Sequence, residues 1–178
     1  MKSALIVVDM LNEYDHEDAE VLIESVRAAL PAMRGLVERG RHDRTPIVYV
    51  NDNYGDWAAG RPEIVERAIA GRARDVVEPI APADGSWFIS KARHSIFYET
   101  QLEYLLREQE IERVVLVGQV TEQCILYSAL DAYVRRFNVA VPSDAVAGIH
   151  RDLADAALRM MERNMRADVT PAEHCSLS

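Results

Sequence analysis

With 178 residues, a net charge of −9 and 28% charged side chains, the chain is sized for one domain, residues 1–178, that buries its own core. No basic cluster stands out of the acidic background, which argues against nucleic acid as a partner. No apolar stretch is long enough to span a bilayer, which argues against a membrane. The run after Lys2 is short and interrupted by Asp9, unlike a signal peptide. Two cysteines, Cys124 and Cys175, need not pair in a chain of this size, so free thiols and a cytoplasmic location are expected.

In chain order, Ala4-Leu-Ile-Val-Val8 is a continuous apolar run, the pattern of a strand buried on both faces. Residues 19–39 carry helical spacing in Val21, Leu22, Val26, Ala29, Leu30, Met33 and Val37, with Gly40 as the expected stop. Asp15-His-Glu-Asp18 ahead of it reads as a solvated lead-in. Pro46–Val50 is a second strand, and Arg61–Ala70 a short helix with Pro62 in its first turn. Ser86–Ser90 is a third strand, followed by a helix over Thr100–Gln109. Val114–Val117 is a fourth strand, running into Gly118 and then a helix over residues 121–136. Asn138–Val141 is a fifth strand, Arg151–Met165 a last long helix, and Ala167–Val169 a weak sixth strand.

Strands that are apolar throughout and alternate with helices imply a three-layer αβα sandwich around a mostly parallel, roughly six-stranded sheet, Rossmann-like in organisation. Right-handed crossovers keep the carboxyl ends of the strands on one side, and ligands bind outside those ends where strand order reverses. The polar residues just after strands are therefore the candidates for function. They are Asp9 and Asn12 after the first strand, Asn51, Asp52, Asn53 and Tyr54 after the second, and Lys91, Arg93 and His94 after the third. Gln119 to Cys124 follows the fourth, and Asp144 the fifth.

An Asp, a Lys and a Cys at the exits of three strands suggest nucleophilic chemistry. Cys124 falls in the expected first turn of a helix, where the dipole favours a thiolate. Asp9 would accept the thiol proton and return it to a leaving group. Lys91 would keep Asp9 ionised and then stabilise the thiolate. Backbone N–H groups of residues 120–124 would face the oxyanion. Taken singly, each has a plainer reading: Cys124 as packing, Asp9 as a turn cap, Lys91 as surface.

These residues carry a family resemblance along nearly the whole chain. Ala4-Leu-Ile-Val-Val-Asp-Met-Leu-Asn12, Lys91-Ala-Arg-His-Ser-Ile-Phe97 and Gly118-Gln-Val-Thr-Glu-Gln-Cys-Ile125, with Ser128-Ala-Leu-Asp-Ala132 continuing it, resemble the three ordered motifs of the isochorismatase-like cysteine hydrolases. That superfamily includes nicotinamidase and N-carbamoylsarcosine amidohydrolase. The resemblance implies a catalytic triad of Asp9, Lys91 and Cys124. It also implies a non-proline cis peptide between Gln119 and Val120 that aims the Val120 and Cys124 amides at the oxyanion. Family members are usually dimers or tetramers, so a homo-oligomer is expected.

Nicotinamidases hold a divalent metal through an Asp-x-His pattern and further histidines after the second strand. Here that segment is Asn51-Asp-Asn53, so neither metal nor cofactor is expected, and nicotinamide is not the expected substrate. Asn12, Tyr14, Asn51, Asn53, Trp57, His94 and Gln123 are the candidate substrate-binding residues, with Tyr54 and Trp57 as an aromatic wall. Glu122 lies within reach of substrate but equally starts the helix, and Cys175 sits in a polar tail with no expected role.

Three functions are carried forward. The first is hydrolysis of a small amide or ureido compound through a Cys124 thioester. The second is vinyl-ether hydrolysis of the isochorismate type, which depends on the aspartate and can dispense with the thiol. The third is a catalytically idle binding protein.

Overall fold

The computed structural model describes residues 1–177. Its strands are β1 (Ser3–Val8), β2 (Ile47–Asp52), β3 (Trp87–Lys91), β4 (Arg113–Gln119), β5 (Asn138–Ala140) and β6 (Val146–Ala147). Its α-helices are α1 (Ala19–His42), α2 (Arg61–Ala70), α3 (Arg74–Val77), α4 (Leu102–Glu108), α5 (Leu126–Val134) and α6 (Arg151–Met165). All strand pairs are parallel, in the order β3-β2-β1-β4-β5, with β6 beside the carboxyl end of β4. Helices cover both faces, giving the expected αβα layering.

β1 shows why its sequence is apolar without interruption. Leu5 and Val7 enter the core beneath α1, whereas Ala4, Ile6 and Val8 enter the core beneath α4, α5 and α6. A strand with two buried faces has no position for a polar side chain until it leaves the sheet. The first such exit is Asp9. The chain moves outward in one direction through β1, β2 and β3, and in the other through β4 and β5. The switch therefore falls between β1 and β4, whose carboxyl ends carry Asp9 and the Gly118–Cys124 segment.

Gly118 makes that approach possible. Its φ is +116°, and an added Cβ would overlap the Val8 carbonyl oxygen. Only glycine fits there.

Several boundaries depart from expectation. α1 does not stop at Gly40 but runs on to His42. Gly40 is buried, and an added Cβ would press on the Ile47 side chain at 3.2 Å, so its small size serves packing. The chain reverses instead at Arg44, whose φ is +58°. The sixth strand is Val146–Ala147, not Ala167–Val169. β5 ends early, just before Val141-Pro142, which leaves the far end of β4 open for β6 to pair. Asp168 makes a single bridge to Ala140, and Pro171, lacking an N–H, cannot extend it. α3 has no counterpart among the expected elements, because four residues are too few to show a period.

The predicted helix over residues 121–136 also divides. Thr121–Ile125 is a wide turn in which the Ile125 N–H reaches the Val120 carbonyl at 3.1 Å, and the α-helix proper starts only at Leu126. Cys124 sits in that wide turn.

Candidate active site

Three strand exits meet at the switch point. Asp9 leaves β1 in the left-handed region, with φ +52°, which turns its carboxylate across the sheet edge. Its Oδ2 lies 2.8 Å from Lys91 Nζ, and the Asp52 N–H donates to its Oδ1 at 2.7 Å. Lys91 Nζ in turn stands 3.7 Å from Cys124 Sγ and 3.4 Å from Asp52 Oδ2. The Asp9 carboxylate is close enough to Cys124 for its charge to act on the thiol. The structure thus brings the three expected residues together around one sulfur. It adds Asp52, whose second contact to Lys91 was not anticipated.

Burial governs the electrostatics. It raises the Asp9 carboxyl above the ordinary aspartate value even though the Lys91 ammonium pulls it down. Burial pulls Lys91 downward, but the carboxylates of Asp9 and Asp52 and the sulfur of Cys124 together hold it above its usual value. For Cys124 the shift runs against the expected helix-dipole activation. Burial and the adjacent Asp9 carboxylate push the thiol well up, and Lys91 and the Val120 amide only partly oppose them. Both influences favour the thiol over the thiolate.

The peptide bond between Gln119 and Val120 is cis. The Gln119 side chain donates to the Asp9 carbonyl oxygen at 2.6 Å and accepts from the Tyr14 hydroxyl at 3.2 Å. Tyr14 is fully buried, so it braces Asp9 from behind and does not face a ligand. Asn51 is likewise turned inward: it donates to the Leu11 carbonyl at 3.0 Å and accepts from the Leu11 N–H at 2.9 Å. Asn12 accepts from the Tyr14 N–H at 2.7 Å, closing a local turn. These three predicted substrate contacts are scaffold, because turns after buried strands consume amide side chains to satisfy the backbone.

The remaining candidates stand at the opening. Asn53 and Trp57 line a cleft of 440 Å³ together with Lys91, Arg93, Tyr98 and Glu99. Trp57 is 82% exposed. Tyr54 leaves much of its ring exposed, while burial and the nearby Asp9 and Asp52 charges hold its hydroxyl well above its usual value. His94 is exposed, yet its Nδ1 lies 3.6 Å from Cys124 Sγ. Gln123 is half-buried on the wide turn. Glu122 points away from the cleft, and its Oε1 accepts from the N–H groups of Ile149 and His150 at the start of α6. Cys175 is buried under α1, held by packing, and takes no part in the site. Among the described residues, no helix is long and apolar enough to cross a membrane.

A parallel α/β sheet with an Asp, a Lys and a Cys converging at its switch point is the frame of an α/β cysteine hydrolase. The isochorismatase domain matches residues 3–174 of this chain. The uncharacterized isochorismatase family protein YaaI of Bacillus subtilis (strain 168) is 35% identical, over 96% of this chain and 94% of its own length. Maleamate amidohydrolase of Pseudomonas putida is 30% identical, over 88% of this chain and 78% of its own length. The crystal structure of N-carbamoylsarcosine amidase from Thermoplasma acidophilum superposes with a TM-score of 0.75 at 32% identity, covering 99% of each chain. The chain belongs to the isochorismatase family and is a hydrolase of that family.

Proposed function

We propose that this hydrolase cleaves the carbon–nitrogen bond of a small amide or ureido compound through a thioester on Cys124. The observation that carries the reading is Lys91 Nζ standing 2.8 Å from the Asp9 carboxylate and 3.7 Å from Cys124 Sγ, with Lys91 also lining a small cleft. As Sγ attacks the carbonyl carbon, its proton passes to Asp9, which burial has made a stronger base than a solvated aspartate. The developing oxyanion meets the Val120 and Cys124 amides. Asp9 then returns the proton to the departing nitrogen. Lys91 stays charged throughout and offsets the negative charge shared between carboxylate and sulfur.

A cleft of 440 Å³ suits a small molecule. Two relatives, maleamate amidohydrolase and N-carbamoylsarcosine amidase, bear the names of amide-hydrolysing enzymes. The test is a screen of maleamate, N-carbamoylsarcosine, nicotinamide and isochorismate against the wild type and Cys124→Ala. Loss of turnover in Cys124→Ala, with an acyl adduct on Cys124 in the wild type, is the expected result. An active Cys124→Ala enzyme overturns it.

One observation favours a second reading. An aspartate raised by burial is also what protonation of a vinyl ether requires. Under that reading Cys124→Ala keeps its activity and Asp9→Asn loses it.

A further inference from the structure

A thioester must be hydrolysed after the amine has left, and the group that activates the water has to meet solvent. Asp9 is set to take the thiol proton directly but meets little solvent. The Asp52 N–H occupies its Oδ1 at 2.7 Å and Lys91 its Oδ2 at 2.8 Å. Its side chain is only 9% exposed. His94 has the opposite setting. It lies at the open rim with its ring packed against Tyr127, centroids 5.5 Å apart, and its Nδ1 is 3.6 Å from the sulfur. A water hydrogen-bonded to that nitrogen is within reach of a carbonyl carbon carried on Sγ. No carboxylate within ion-pair distance engages the imidazole among the described residues.

We infer that His94 is a catalytic residue for the second half-reaction, the general base that activates the water which hydrolyses the Cys124 thioester. The inference rests on the thioester reading above. Water oxygen bonds to the acyl carbon as one of its protons passes to Nδ1. The tetrahedral intermediate collapses, the C–S bond breaks with its electron pair on sulfur, and the proton on Nδ1 crosses to that thiolate. Free carboxylic acid, Cys124 thiol and neutral His94 result. Asp9 serves the first half and His94 the second.

p-Nitrophenyl acetate separates the two halves without the native substrate, because p-nitrophenolate appears on acetylation and the steady rate reports deacetylation. The comparison takes wild type, His94→Ala, His94→Gln and Cys124→Ala. Both His94 variants are expected to keep a burst of about one equivalent while the steady rate falls on the order of 10²-fold. Intact mass should then show acetyl retained on Cys124. Added imidazole should restore the steady rate of His94→Ala, a rescue that no purely structural role explains. His94→Gln keeps size and polarity without a base, so it guards against misfolding, and far-UV circular dichroism checks both variants.

Steady rates equal to wild type, with no acetyl accumulating, overturn the inference. So does loss of the burst itself in a folded His94→Gln, which would assign His94 to the first step. If the wild type is never acetylated on Cys124 and Cys124→Ala releases p-nitrophenolate equally fast, the thioester reading falls and takes the inference with it.

Discussion

Replacing Lys91 with Met tests the electrostatics of the site at its centre. The Lys91 side chain is 0% exposed and serves two carboxylates, Asp9 at 2.8 Å and Asp52 at 3.4 Å. Lys91→Met keeps the volume but strands both negative charges, one of them almost fully buried. Removing one partner of a buried pair costs about 3–5 kcal/mol. Asp52, at 29% exposure, recovers water, which places the expected loss near the lower end, about 3 kcal/mol. With a urea slope of about 2–3 kcal/mol/M, the midpoint should drop by roughly 1 M. Asp9→Asn should cost less, because Lys91 then keeps Asp52. The double variant should cost less than the sum of the singles, since no buried carboxylate at position 9 is left uncompensated. The pH dependence has a fixed sign. Burial already raises Asp9 in the folded protein, and without Lys91 it rises further. A carboxyl raised on folding takes up its proton in the folded state first, so acidification relieves the stranded charge. The gap between wild type and Lys91→Met should therefore narrow as pH falls toward the unfolded aspartate value. A cost below about 1 kcal/mol would refute the reasoning, as would a gap that widens in acid or Asp9→Asn being as damaging as Lys91→Met.

Four shorter expectations follow. Alkylation of Cys124 by iodoacetamide should keep climbing beyond pH 9 without a plateau, because burial and Asp9 raise the thiol; a plateau near that of a free peptide thiol, about 8.5, would contradict it. The same shift makes the folded state lose stability as pH rises above the unfolded thiol value, which denaturation at pH 8 and 10 should show as a drop that is smaller in Cys124→Ala, where only the buried Cys175 thiol still contributes. Gly118→Ala should lose at least about 2–3 kcal/mol and all turnover, since its Cβ would overlap the Val8 carbonyl beside Asp9; a soluble variant with the wild-type melting temperature would sink that account. Glu122→Ala should cost about 1 kcal/mol through the two amides it accepts from at the start of α6, measured by thermal melting, with the Cys124 alkylation rate little changed.

What the chain reveals of itself follows from how local each signal is. β1 and β4 are legible because a strand buried on both faces must be apolar at every position, and the exits to Asp9 and Gly118 then stand out against the run. Lys91 and Cys124 follow by the same logic, and together with Asp9 they carry the family motifs. Gly40 misleads, because glycine ends a helix when φ is positive but fits inside one when a neighbour such as Ile47 needs the room, and composition does not separate the two uses. β6 escapes because two residues show no period. The candidate contacts Tyr14 and Asn51 fail for a different reason: each is polar and reads as lying just after a strand, but Asn51 is still within β2 and spends its amide on the Leu11 backbone, and Tyr14 spends its hydroxyl on Gln119.

The charge state of Cys124 shows where local reading ends. A cysteine after a strand and before a helix suggests dipole activation, which acts over one turn. In the folded chain the sulfur lies in a wide turn ahead of the helix, 8% exposed and next to a carboxylate brought from residue 9. Desolvation and that carboxylate raise the thiol and outweigh a partial charge at a helix end, so under the proposed mechanism the nucleophile hands its proton to Asp9 during attack. The same two features, burial and Asp9, account both for the raised thiol and for the base that relieves it.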